Sequence, residues 1–235
     1  MTVTTALVQT LHRLNIQKSD LESQLRRGPM IVASAQQRVQ DAERQLEELH
    51  ARIRDLRMEA DSKQLQMEER EAKIRHWSGQ LNTVKENREY QALKDQIAAE
   101  TKANEVLSDE ILETLEELDQ LTEKEEEAKE QLSKIRTECA EIEQRIADKK
   151  VQLEAELNRI NAELAEEEKG LEGEIRREYM RMVKVRGDDA MAELDGDSCS
   201  GCNMTLTPHL LSQLTAGRPV LCVSCGRILY CPATR

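Results

Sequence analysis

The chain has 235 residues, of which 34% are charged and only 2% aromatic, with no Phe. So little bulky apolar side chain excludes one wide globular core and leaves long helices with a narrow seam as the natural use of the many Leu and Ala residues. A net charge of -12 argues against wholesale coating of DNA or anionic lipid.

The N-terminal stretch MTVTTALVQTLHRLNIQ has no basic segment followed by an apolar core, so no signal peptide is expected. No apolar run approaches the ~20 residues a membrane span needs. The expectation is a cytoplasmic protein whose six Cys are reduced or metal-bound rather than paired in disulfides.

The first long element starts at Leu7. Positions 7, 11, 14 and onward to 84, in alternating steps of four and three, give 23 sites. Nineteen of them are apolar, enough to impose a left-handed coiled coil. The exceptions are Lys18, Gly28, Lys63 and Arg70. Gly28-Pro29 predicts a kink or brief break, with the seam resuming on the same face.

A second run starts at Tyr90 and continues to Leu153, with 14 of 19 sites apolar, Cys139 among them as a small core hydrophobe. Its phase differs from the first by two residues, which is neither a stutter nor a stammer. A continuous rod would rotate its stripe by roughly 200° there, at ~100° per residue. A turn near 82–89, with Asn82 and Asn87 as caps, removes the conflict. Charge agrees. Residues 1 to 84 carry 13 Lys+Arg and 12 Asp+Glu, whereas residues 85 to 186 carry 18 and 29, a near-neutral arm suited to an acidic one. Residues 1–186 therefore read as an antiparallel two-helix coiled-coil hairpin, roughly 110 Å long. A parallel dimeric rod with an irregular skip is the alternative. A four-residue stutter at 149, 153 and 157 carries the seam on through Leu171. The second helix is expected to end near Val185-Arg186, with Gly187 as its stop.

Residues 187–198 form a short acidic link that can hold one strand. Residues 199–235 then contain CSGC and, 19 residues later, CVSC. Two such pairs at this separation predict that Cys199, Cys202, Cys222 and Cys225 bind one structural Zn²⁺. Four thiolates close a tetrahedral shell and leave no position for water, ahead of His209 as a competing ligand. Thr207-Pro208 and Gly217 bracket a short helix, and Val220-Leu221 and Ile228-Tyr230 read as strands. This is a small zinc ribbon that needs its metal to fold. Cys231 lies past it as a bystander thiol.

The hairpin turn and the ribbon are the candidate partner surfaces. Lys73, Arg75, Lys85, Arg88 and Lys94 surround the turn with Trp77 and Tyr90. Such a mixture suits a protein hot spot or single-stranded nucleic acid; the alternative is that the two aromatics plug the seam and the charges are solvated. On the ribbon, Arg218, Arg227 and Arg235 give +3 against about -2 from four thiolates on one Zn²⁺. That is too thin a basic surface for a dense phosphate binder.

A helical hairpin followed by CSGC and CVSCGRILY resembles the bacterial C4-type zinc ribbon domain proteins. VKENREYQAL, holding Lys85, Asn87, Arg88 and Tyr90, is similar to that family's VK-x-N-x-EY-x-AL element. The resemblance implies a non-enzymatic protein, with links in some members to the sigma-54 RNA polymerase factor, flagellar gene expression and RNA binding. The combined expectation is a mostly α, monomeric or weakly dimeric adaptor that docks a protein partner and binds no membrane. An RNA- or DNA-binding protein using the ribbon and the basic turn is the alternative.

Overall fold

The computed structural model describes residues 3–231, so Arg235 lies outside the described residues. Two long helices dominate: α1 over Thr5–Leu81 and α2 over Asn87–Glu167, packed as a hairpin. The chain divides into two compact units, one of Met1–Ala33 with Glu141–Arg235 and one of Ser34–Ala140.

In the Ser34–Ala140 unit the heptad positions face inward. Ala35, Ile53, Leu56 and Ala60 of α1 and Leu107, Ile111, Leu132 and Cys139 of α2 are buried. Cross-helix ion pairs flank this seam: Arg38–Glu138 at 3.4 Å, Glu43–Arg136 at 2.7 Å and Arg52–Glu117 at 2.9 Å. Partner numbers fall along α2 as they rise along α1, which fixes an antiparallel pairing. These pairs are exposed, where solvent screening leaves an ion pair little net worth, so they select register more than they add stability. The two cations expected as exceptions within this part of the seam are answered across it. Lys63 Nζ reaches Glu110 at 3.5 Å and Thr114 Oγ1 at 3.3 Å, and Arg70 reaches Glu100 at 2.8 Å. The turn occupies 82–86, and Thr83 N–H closes onto the Gln80 carbonyl at 2.9 Å.

In the other unit, α1 runs through Gly28-Pro29 without interruption. A break occurs instead in the second arm. After α2 comes a 3-10 turn, Glu168–Gly170, and then a separate helix α3, Gly173–Arg186. The expected continuous helix to Arg186 is thus corrected. Gly173, the first residue of α3, has φ +64°, a left-handed geometry that a glycine adopts at little cost. Leu171, between the two helices, still fills the core.

The acidic stretch after α3 is more than a link. A 3-10 turn, Gly187–Ala190, leads into β1, Met191–Asp195, then β2, Ser198–Cys199. Helix α4, Pro208–Thr215, and strands β3, Val220–Leu221, and β4, Ile228–Tyr230, complete the ribbon. The sheet order is β2-β1-β4-β3, with β1 and β4 parallel and the other pairs antiparallel. Alternation along β1 and β4 gives the sheet two working faces. Met191, Ile228 and Tyr230 join Leu11, Leu14, Leu164 and Tyr179 in a core with the helices. Ala192 and Leu229 turn the other way, into a ribbon core with Cys199, Leu206, Leu214 and Cys222.

Candidate metal centre

Each Cys pair sits in a turn of the same construction. The N–H of the first Cys donates to a carbonyl five residues on: Cys199 to Met204 at 3.0 Å and Cys222 to Arg227 at 2.9 Å. The residue after the second Cys adopts a left-handed conformation, Asn203 at φ 56° and Gly226 at φ 76°. Its N–H returns to the first Cys carbonyl, at 2.8 Å for Asn203 and 2.9 Å for Gly226. Asn and Gly are the residues that tolerate this geometry at least cost. In each turn both thiols therefore point to one side.

The four Sγ atoms lie within 4.8 Å of one another. Across the two turns, Cys199 and Cys225 sulfurs are 3.8 Å apart and Cys202 and Cys222 sulfurs 3.7 Å. A tetrahedral zinc shell with ~2.3 Å bonds has edges of ~3.8 Å. The donor set thus fits a structural Zn²⁺ in both chemistry and size. Cys199 and Cys222 are buried, while Cys202 and Cys225 are partly exposed. Those four side chains would hold the ion; His209 is outside the cluster, its Nε2 3.0 Å from Gln213 Nε2.

Burial pushes the Cys199 thiol up to about 12, against the opposing pull of the Gly201 and Cys202 N–H groups. Burial also raises Cys222, opposed by the N–H groups of Cys225 and Ser224. Cys225 is different. Burial would raise it, but the Arg227 backbone N–H and guanidinium outweigh that and bring it to about 6.

Arg227 is where the structure departs most from the sequence expectation. It is 7% exposed, so it is corrected from a candidate docking residue to a buried one. Its Nε donates to the Asp189 backbone carbonyl at 3.0 Å and to Asp189 Oδ1 at 3.1 Å; a second nitrogen pairs with Asp189 Oδ2. Its Nη1 donates to the Gly201 carbonyl at 3.0 Å. One guanidinium therefore ties both Cys turns to the segment before β1. Gly201 is what admits it, since a Cβ there would lie 2.6 Å from Arg227 Cδ. Sequence reasoning missed Asp189, which looked like one acid among several.

Arg218 is exposed on the ribbon. At the turn, Lys85, Asn87, Arg88 and Tyr90 are exposed, Tyr90 at 38%, with Asn87 as the first residue of α2. Trp77 is half-buried along the seam. Arg75 pairs with Glu71 at 3.4 Å, whereas Lys85 and Arg88 make no ion pair among the described residues.

Residues 198–229 match the family described as C4-type zinc ribbon domain. Among solved structures, the chain is similar to CT398 from Chlamydia trachomatis, with TM-score 0.81, 21% identity and 97% of each chain covered. It is also similar to the HP0958 protein from Helicobacter pylori, with TM-score 0.64, 17% identity and 100% of each chain covered. A Mycobacterium smegmatis protein matches with TM-score 0.58 and 18% identity, over 97% of this chain and 99% of the other. No curated protein matches. These likenesses establish the fold and the C-terminal zinc ribbon. Among the described residues no helix is long and apolar enough to cross a membrane.

Proposed function

We propose that this coiled-coil hairpin with its C-terminal C4-type zinc ribbon is a non-enzymatic adaptor that docks protein partners. The observation that carries the reading is the exposed group at the hairpin turn. Lys85 and Arg88 are exposed within five residues of Tyr90 and have no acidic partner among the described residues, and Tyr90 itself keeps 38% of its surface open to solvent. Arg and Tyr are the residue types that anchor protein interfaces. The zinc has a supporting role: a closed four-thiolate shell offers no open position for a substrate or water, so it serves architecture.

Burial of Arg227 removes one of the cations that a nucleic-acid reading would use, and favours a protein partner. Family resemblance makes a sigma-54-type RNA polymerase factor the first partner to try, with a role in transcription or flagellar regulation. The test is capture of partners on the zinc-loaded chain from native cytosol, with and without nuclease, in parallel with a Lys85→Glu/Arg88→Glu variant. A specific protein that survives nuclease and is lost with the variant supports the reading. Capture that vanishes with nuclease would replace it with nucleic-acid binding.

A further inference from the structure

Two irregularities of the coiled coil meet in space. Gly28 occupies a seam position of α1, where Ile146 of α2 packs close against the bare backbone; a Cβ there would lie only 3.1 Å from Ile146 Cγ2. On α2, the stutter puts Lys149 at a seam position by count, yet Lys149 is exposed. A glycine on one helix and an exposed lysine on the other leave this stretch of the seam without two of its side-chain knobs. The result is an open groove of about 540 Å³ with Leu25, Val32, Ile146 and Leu153 along it. Ile31, 46% exposed, stands on its edge. Next to Gly28, Pro29 has no N–H for the Leu25 carbonyl, so the groove also has a backbone acceptor without its helical donor.

The charges on the rim decide what fits. Arg27 and Lys149 line the groove and make no ion pair among the described residues, and Lys150 has only Glu154 at 3.7 Å. Two acids line it as well: Asp20, which accepts from the neutral Gln24 amide at 2.9 Å, and Glu143, which is partnered. The lining therefore carries three bases against two acids, a net of +1 beside an apolar floor, although residues 85 to 186 as a whole carry 18 basic against 29 acidic side chains. The lining residues span 20–32 of α1 and 143–153 of α2, about three helical turns on each. That is the footprint of a helix laid in a groove, read through apolar anchors at i, i+3 or i+4, and i+7.

We infer that this groove docks an acidic amphipathic helix of a partner protein, its apolar face on Leu25, Ile31 and Ile146 and its carboxylates against Arg27, Lys149 and Lys150. The surface shares no residue with the hairpin turn, so it stands or falls separately from docking there.

The test uses the full zinc-loaded chain and a labelled synthetic peptide of about 18 residues, five helical turns, with Leu at the anchor spacing and Glu elsewhere. A second peptide replaces every Glu with Lys. Anisotropy titrations should show binding of the acidic peptide only, weakening as salt is raised. Arg27→Glu/Lys149→Glu should lower affinity by about tenfold or more. Ile31→Glu, a surface change that leaves the folded core untouched, should do the same with unchanged helical circular dichroism. Equal binding of the two peptides, no binding of the acidic one, or affinity indifferent to both variants would overturn the inference. So would sedimentation showing that a second copy of the chain fills the groove and that Ile31→Glu abolishes that self-association.

Discussion

Asp189 holds Arg227 through both carboxylate oxygens and its own backbone carbonyl, across 38 residues of sequence. The same guanidinium reaches Gly201 in the first Cys turn, while its own backbone belongs to the second. The pair therefore acts as the brace of the metal centre: removing Asp189 leaves the buried guanidinium without its carboxylate, and removing Arg227 unties Gly201 and the second Cys turn from the segment before β1. Asp189→Asn and Arg227→Leu should each lower zinc affinity by about 10- to 100-fold, the range for residues that support metal ligands. Competition with a chromophoric chelator measures it. Gly201→Ala should behave alike, because the added methyl displaces the guanidinium. Unchanged zinc affinity in all three would remove the brace.

Zinc removal should be felt beyond the ribbon. Leu229 lies in the ribbon core, while its neighbours Ile228 and Tyr230 lie in the core shared with α1, α2 and α3. One three-residue strand therefore couples the metal turn to the helices. Chelation should abolish amide protection in β1 and β4 and weaken it in α1 around Val8 and Leu11, and leave the Ser34–Ala140 helices protected. Hydrogen exchange followed by mass spectrometry reads this directly. Protection loss limited to residues 199–227 would show that the ribbon unfolds alone.

The seam and the metal ligands were legible in the sequence for a common reason: both are repeats with fixed local spacing. A narrow core must return to the same face every 3.5 residues, and a Cys turn must place two thiolates on one ion. The misses are non-local or locally ambiguous. Heptad spacing carried Leu171 into a continuous helix, although Gly170 and Gly173 on either side were the signal of a break. A strand is expected in the acidic link, but its pairing is not: Met191, Ala192 and Glu193 pair with Ile228, Leu229 and Tyr230, more than 30 residues away. Nothing near MAEL announces that partner. Arg227 looked like surface charge for the same reason.

Acid should release the metal. Burial raises the Cys199 thiol to about 12 and raises Cys222 too, so without metal both hold protons at neutral pH. Zinc binding must displace those protons, and affinity falls as pH falls. Cys225, at about 6, gives up its proton first and contributes little to the pH slope above neutrality. Zinc affinity measured from pH 8 down to 6 should decline steeply, with more than one proton released per ion. A flat profile would contradict this assignment of the thiol states.

His12 provides a second acid-sensitive point. Its Nδ1–H donates to Tyr230 Oη at 2.9 Å, and that hydroxyl donates to Glu193 Oε1 at 2.8 Å. Burial lowers the His12 pKa below 6.5 and outweighs Glu193, Asp188 and Asp189, which raise it. The unfolded chain then takes up the proton more readily than the folded one. The stabilisation is complete above pH 6.5 and is lost as pH falls through the lowered folded value. His12→Gln should flatten that part of the profile. The informative quantity is the difference between wild type and variant in urea unfolding, because the thiol contribution cancels.

Asn104 is a polar residue in the seam, and its cost is visible. Its Nδ2 donates to the Met67 carbonyl at 3.4 Å, a long bond, and its Oδ1 is buried without a hydrogen-bond partner. An unsatisfied buried acceptor costs about 1–3 kcal/mol. Asn104→Leu should therefore stabilise the Ser34–Ala140 unit by about 1 kcal/mol or more, since it exchanges that loss for seam packing. A lone seam amide also penalises misaligned pairing, because in other registers it faces Leu or Ile. The stabilised variant should accordingly lose specificity, and analytical ultracentrifugation should reveal higher oligomers beside the parent species. Stability gained without any new species would make Asn104 a plain defect; stability lost would mean that its Met67 bond is stronger than its length implies.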